Sequence, residues 1–531
     1  MKTLKRIAFV MLVLVLTLTG CAKRELNTRV SNTTGWNYFD EKTTNFEALE
    51  GLGNVNPYGM VPIQGGAFTV GEKDEFITAP RNNPQRQLTV SSFYMDKYEV
   101  TNLNWREYLH WMQLVFGVCA PELVKNVLPD TLVWREELAY NEPYLENYFR
   151  HPAFSFYPVV GVTWEQAMDY CQWRTDRVNE LSLIKAGAIA YPPFSELMPT
   201  DDEAYKAEWE EMTGYTMDEY EVPDPEDPTQ TISMYRPGYD YIRDKFVFNT
   251  EKYLLVGDYL PESGKSPKTD SYGAERKVDR TDGILVVGYR LPTEVEWEFA
   301  AYAPIAGEDG LTIEGKVYPW SGYHPRNLTK KQMGQLQANF IRGRGDMMGV
   351  SGALNDKYVI TAPVDEFMPN DFGLYNMAGN VNEWVLDVYR ETSFQELTEY
   401  NSFRGNIFSK VKLVDDAYQL DSLGRLAIEW TSEEDVRDFK DGDKASILPT
   451  EYVIDTTGLA ELESIKKDPT DILAPKITKK TRVYKGGSWH DRIYWLNPSS
   501  RRYLDQDKAS STIGFRCAMS TVGNQIDNGG K

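Results

Sequence analysis

Histidine and cysteine are scarce in this chain, with four of each in 531 residues. The histidines, His110, His151, His324 and His490, are scattered and show no HExxH or comparable metal-binding spacing, which excludes the helical zinc-hydrolase pattern. Positive charge is also short. Lysine and arginine number 57 against 79 acids, a net charge of −22, so the field repels nucleic-acid phosphates and anionic lipid head groups, and neither is expected as a partner. No glycine-rich phosphate loop or serine-nucleophile elbow stands out. The apolar run "IAFVMLVLVLTL" at 7–18 is too short for a comfortable membrane span.

That run follows the basic "MKTLKR" and has the form of a signal peptide. It ends in Leu18-Thr19-Gly20-Cys21, which resembles a bacterial lipobox. The resemblance implies that residues 1–20 are removed and that the Cys21 thiol carries diacylglycerol. More than one acyl chain makes such an anchor stable, so the expected product is tethered rather than spanning. Ala22 stands where an inner-membrane retention signal would place aspartate, and "AKREL" lacks an acidic export run. The expected location is therefore the periplasmic face of an outer membrane.

Residues 21–57 are polar and turn-rich, as befits a tether. Folded sequence begins near Pro57, and 521–531 forms a short tail. At this length one elaborated domain with insertions fits as well as several domains. Two helices carry capping-box spacing, one from Thr163 and Gln166 and one from Thr293 and Glu296. On the first, Ala167, Tyr170, Cys171 and Trp173 suggest one packed face. Two stretches differ in character. Residues 181–288 include the acidic, proline-punctuated "TDDEAYKAEWEEMTGYTMDEYEVPDPEDPTQ", and 390–481 include "SEEDVRDFKDGDK"; both read as solvated insertions that could carry partner contacts or none.

Four motifs in order, "GMVPIQGGAFTVG", "RLPTEVEWEFAAY", "NDFGLYNMAGNVNEWVLD" and "KGGSW" with the terminal "IGFRCAM", resemble the formylglycine-generating-enzyme (sulfatase-modifying factor) family. The match covers about 58–520 once the insertions are set aside. It implies an α+β fold related to the C-type lectin fold, with sparse regular secondary structure and large insertions. "SSFYMDKYEVTNLNWREYLHWM", "LPDTLVWREELAYNEPYLENYFRHPAFSFYPVVGVTW" and "CQWRTDRVNE" look more narrowly like the lipoproteins of bacterial gliding motility. That resemblance implies partners among the other lipoproteins and ring components of the gliding and type IX secretion machinery.

In the catalytic family a copper-binding cysteine pair follows the Gly-Gly-Ser turn, because Cu(I) favours soft thiolates. Here Asp491 fills the first position, and no cysteine lies between Ser488 and Cys517. Aspartate is a hard ligand, so no copper and no oxidative cysteine chemistry are expected; Trp489, His490 and Asp491 read as a degenerate former active site. The family implies a disulfide between Cys171 and Cys517, worth roughly 2–4 kcal/mol and suited to an oxidising compartment. Cys119 is left over as a buried thiol. The family also implies structural calcium, on Asn339 and Asp356 with the Phe340 and Tyr358 carbonyls, and on Asn376 and Glu383 with the Gly379 and Val381 carbonyls. Such mixed oxygen sets suit calcium, although the same residues also make ordinary tight turns. Trp384 is expected in the core. The reading that follows is a non-catalytic scaffold for gliding and secretion. Two alternatives stay open: an enzyme reusing the groove around Trp489, His490, Asp491, Arg501 and Arg502, or a glycan- or peptidoglycan-binding module.

Overall fold

The computed structural model describes residues 33–34, 57–72, 83–192, 194–224, 229–256, 268–269, 275–304, 316–320, 324–328, 330, 332–341, 356–389, 409–415, 417–430, 477 and 480–522. Cys21, the signal segment 1–20 and nearly all of the 21–57 tether lie outside them. The chain forms two compact units, 1–53 with 266–278, and 54–265 with 279–531. In the first, the described strands are a short antiparallel pair, Lys268–Thr269 with Glu275–Arg276. Everything below concerns the second.

Two four-stranded sheets organise this unit. One runs Met60–Ile63, Phe93–Asp96, Ala518–Ser520, Tyr289–Arg290, antiparallel throughout, so the two ends of the folded sequence meet in a single sheet. The other runs Arg502–Asp505, Thr481–Lys485, Asn382–Val388, Ile513–Gly514, with its last pairing parallel. The mixture of helix and strand agrees with the expected α+β class.

Both expected capping boxes form. Thr163 accepts from the Gln166 N–H while Gln166 returns a bond to the Thr163 N–H, starting a helix over Trp164–Ala186 that stops at Gly187 with φ 77°. The left-handed conformation there suits glycine. Thr293 and Glu296 start Glu294–Tyr302 in the same way. A third box, Thr101 with Asn104, starts Asn102–Phe116; asparagine at the third position hid it from the usual Ser/Thr-x-x-Glu/Gln spacing. Ala167, Tyr170 and Cys171 are buried as their spacing suggested. They meet Trp105, whose ring stacks on Tyr170 at 5.4 Å, and Phe515 from the C-terminal strand region. Trp384 is fully buried and donates its indole N–H to the Val162 carbonyl.

The 181–288 stretch is not merely solvated. Asp202 caps the helix Glu203–Thr213, which places Glu203, Glu208 and Glu211 outward and buries Trp209 against Met217 and Tyr235 of the hairpin Met217–Pro223/Thr231–Pro237. Ile242, Phe246 and Val247 enter the main core. Asp176, on the long helix, accepts from Asn249 Nδ2 and from the Thr250 N–H and hydroxyl, at 3.2, 2.9 and 2.8 Å. Within 390–481, residues 409–430 form two short antiparallel pairs. They are held by Arg425, which bonds both Asp421 and Asp169 at 2.9 Å.

Candidate functional site

The Gly-Gly-Ser turn is built by close contact. Gly486 and Gly487 have φ of 102° and 73°, which side-chain-bearing residues rarely adopt. A Cβ on Gly487 would lie 2.8 Å from Leu496 Cδ1 and 2.9 Å from the Trp495 carbonyl oxygen. The turn leads out of the Thr481–Lys485 strand and delivers Ser488, fully buried, next to Asp491.

Asp491 is bound on every side. Its Oδ2 accepts from the Ser488 N–H at 2.9 Å, the Ser488 hydroxyl at 2.6 Å and Asn382 Nδ2 at 3.2 Å; Arg502 clamps both oxygens at 2.7 and 2.6 Å. Arg502 also lies over the Trp495 and Tyr484 rings. Burial pushes the Asp491 carboxyl up, but the Arg502 bonds and charge, with Ser488 and Asn382, outweigh it and hold the group below the usual aspartate range. An ionised carboxylate committed to a guanidinium is neither a soft metal ligand nor a proton acceptor at neutral pH. These residues do not fit Cu(I).

The neighbouring groups are equally occupied. Trp489 is half-buried, stacks on Trp134 at 5.9 Å and donates its indole N–H to the Ser511 carbonyl at 3.2 Å. Trp134 comes from the "LPDTLVW" segment and is itself buried, so this segment covers one side of the turn. His490 is exposed, with its ring 5.1 Å from Trp489. Arg501 points elsewhere, into a buried ionic group with Glu294. The structure thus separates the two adjacent arginines, which do not form one clamp.

The predicted cysteine pair is brought together across 346 residues, with Sγ atoms 3.6 Å apart in the core. The fold thus sets side by side the two sulfurs that the family resemblance pairs. Cys119 is half-buried, with its thiol over the Val115 and Phe116 carbonyls, and burial raises its pKa to about 11.

The first calcium set converges. Asp356 accepts from the Phe340 N–H at 3.3 Å and the Tyr358 N–H at 3.1 Å, and Asn339 lies beside them with its amide on the Ile360 carbonyl. The second set is differently engaged. Glu383 is fully buried; Trp297 Nε1 and Arg516 Nε both donate to its Oε2 at 2.7 Å, and the Arg516 NH2 bonds its other oxygen. Asn376 donates to Glu99 at 2.9 Å, and the Gly379 N–H to the Gly486 carbonyl. Val381 is buried beside the glycine turn. Among the described residues no three His, Cys, Asp or Glu side chains gather as a metal group.

Sequence reasoning missed Glu99 and Arg516. Glu99 is buried, accepts from Asn376 and Asn380, and has its pKa pushed up to about 8 by burial and by the charge of Glu383. Arg516 stands next to Cys517 in the "GFRC" motif, the one signal that could have drawn attention to it.

With this geometry in hand the family can be stated. The profile of the sulfatase-modifying factor enzyme 1-like domain matches residues 46–521. The chain belongs to the formylglycine-generating-enzyme/sulfatase-modifying factor family. It is 23% identical to the formylglycine-generating enzyme of Mus musculus over 351 residues, 62% of this chain and 58% of that protein. It is 38% identical over 104 residues to the inactive C-alpha-formylglycine-generating enzyme 2 of Bos taurus, 19% of this chain and 27% of that protein. The chain thus spans less than two thirds of the length of these curated relatives. Among solved structures, PvdO from Pseudomonas aeruginosa aligns over 87% of this chain and 94% of its own, with 17% identity and a TM-score of 0.36.

Proposed function

We propose that this chain is a non-catalytic member of its family, a lipid-anchored scaffold of the gliding-motility and type IX secretion machinery, of the J type with the K-type lipoprotein as its near relative. The observation that carries the first part is Asp491. At the position where the oxidase chemistry needs a thiol stands a carboxylate neutralised by Arg502 and hydrogen-bonded to Ser488 and Asn382. Trp134 covers the adjacent Trp489, and His490 is exposed with its ring beside Trp489. The anchor at Cys21, the periplasmic face of the outer membrane, the lectin-related ancestry of the fold and the choice of partners rest on the sequence resemblances.

Calcium is proposed at Asn339, Phe340, Asp356 and Tyr358, where the Asp356 carboxylate lies against the Phe340 and Tyr358 backbone beside Asn339 and waters can complete the shell. The Asn376–Glu383 set fits less well, because Arg516 and Trp297 already take the Glu383 oxygens. A chelator is expected to lower the thermal midpoint, and Asp356→Ala to abolish that response; a midpoint indifferent to chelator sinks the calcium proposal.

The function is tested in cells. Asp491→Asn and His490→Ala should leave secretion and gliding at parental levels, and in-cell crosslinking should capture other lipoproteins and ring components of the same machinery. Loss of secretion by either variant, with the protein folded and its partners still captured, would restore the catalytic reading.

A further inference from the structure

We infer that the surface cleft of about 220 Å³ beside Trp320 is a binding site for a neutral saccharide of one or two rings. This site is separate from the glycine turn, since neither Trp489 nor Asp491 lines it.

The charged side chains of the lining are Asp356, Lys357 and Glu366. Lys357 and Glu366 neutralise each other at 3.0 Å, and Asp356 directs its oxygens to the Phe340 and Tyr358 N–H groups. A phosphate or a carboxylate would find no unpaired cation among these lining residues, and the one net charge, on Asp356, belongs to the proposed calcium set. What the cleft does offer is carboxamides. Gln332, Gln335 and Gln337 share it with Asn327. Gln337 is oriented by its bond to the His324 carbonyl at 3.0 Å, and Gln332 by the bond it accepts from Asn327 at 2.8 Å. Gln335 is exposed. A carboxamide presents an acceptor and two donors side by side. Vicinal hydroxyl groups, each both donor and acceptor, match that pattern in either direction.

An aromatic platform accompanies the amides. Trp320 is fixed by stacking on the buried Tyr318, at 4.9 Å between centroids and 16° between planes, and by donation from its Nε1 to the His324 carbonyl at 2.9 Å. Trp320 lines the cleft with its ring held in this orientation. A pyranose ring is apolar across its C–H face and polar around its edge, so it can lie on the indole while its hydroxyl groups reach the glutamines. A peptide is the competing occupant. Peptides are commonly taken up by strand addition or by an apolar helix groove; the one antiparallel bridge in the described lining, Leu336 with Arg326, already pairs within the chain, with Gln337 N–H on the Pro325 carbonyl and Asn327 N–H on the Gln335 carbonyl.

The test uses full-length protein in detergent, with cellotetraose, maltotetraose and chitotetraose as probes and an acetylated, amidated tetra-alanine peptide as the alternative. Binding is read by saturation-transfer NMR and by isothermal titration. At least one tetrasaccharide should bind saturably. Trp320→Ala and Gln335→Ala should each weaken it at least tenfold at unchanged thermal midpoint, and Trp489→Ala should not. Because Gln335 is exposed, its variant keeps the test decisive if Trp320→Ala fails to fold. The inference is overturned if no tetrasaccharide binds, if binding survives the Gln335 substitution, or if the peptide binds through the same two residues.

Discussion

Two carboxylate–guanidinium pairs each take one partner from the same sheet and behave as opposites. Glu383 and Arg516 are completely buried, and Glu383 lies opposite Lys485 in the strand pairing that leads into the glycine turn. Asp491 and Arg502 lie on the far side of that turn with side chains 15% and 20% exposed. Both pairs are two-pronged and both carry extra hydrogen bonds. The inner pair is therefore structural in a strict sense, because water cannot replace either partner. The outer pair lies beside the glycine turn, closes it through Ser488 and Asn382, and is partly open to water. Ionic geometry alone does not separate a fully desolvated framework pair from one at the rim of a turn; burial does.

Arg516→Met breaks the comparison at its strongest point. Glu383 would be left buried and charged next to the Trp297 indole, with Glu99 as a second acid close by. Removing one partner of a buried pair costs about 3–5 kcal/mol, so denaturant titration should show a loss of that size or a chain that does not fold. Arg516→Lys should recover only part, since an ammonium cannot span both oxygens. A loss below about 1 kcal/mol in Arg516→Met would mean that water reaches Glu383 and that the two pairs are alike.

Glu99 sharpens the comparison through pH. Its folded pKa, about 8, lies above its ordinary value of 4.5, so the fold holds a proton that the unfolded chain releases. Stability from this group therefore falls as pH rises from about 4.5 to about 8 and is level beyond. Glu99→Gln keeps an oxygen for Asn376 and Asn380 and removes the titration. In chelator, the variant's stability relative to the parent should improve from pH 5 to pH 8 by at least about 1.4 kcal/mol, the worth of one pK unit. An unchanged gap would show that Glu99 ionises freely inside the core.

What the sequence revealed was local. Thr163 with Gln166 and Thr293 with Glu296 act over three residues, and Gly486-Gly487 is dictated by its own backbone, so spacing was enough to find them. The Cys171–Cys517 approach spans 346 residues and was available only through family resemblance. Glu99 was out of reach, because its burial depends on Asn380, 281 residues away, and nothing beside it in sequence signals that. The acidic insertion was misread because composition averages over a helix. Glu203, Glu208 and Glu211 face water while Trp209, one residue among them, anchors the segment.

The smallest expected effect falls on the outer pair and tests whether Asp491 is only a closure. Asp491→Asn keeps the shape and a hydrogen bond to Ser488 but leaves Arg502 without its charge partner. Because that arginine is partly solvated and still lies over Trp495 and Tyr484, the loss at pH 7 should be about 1–2 kcal/mol by denaturant titration. The Asp491 carboxyl is held below its ordinary value of 3.8, so its contribution is complete above that value and disappears as pH falls through the lower folded one. Parent and variant should accordingly converge in strong acid. A difference that persists there would assign the stability to shape rather than to the ion pair, and Asp491 would then be a packing residue whose charge is incidental.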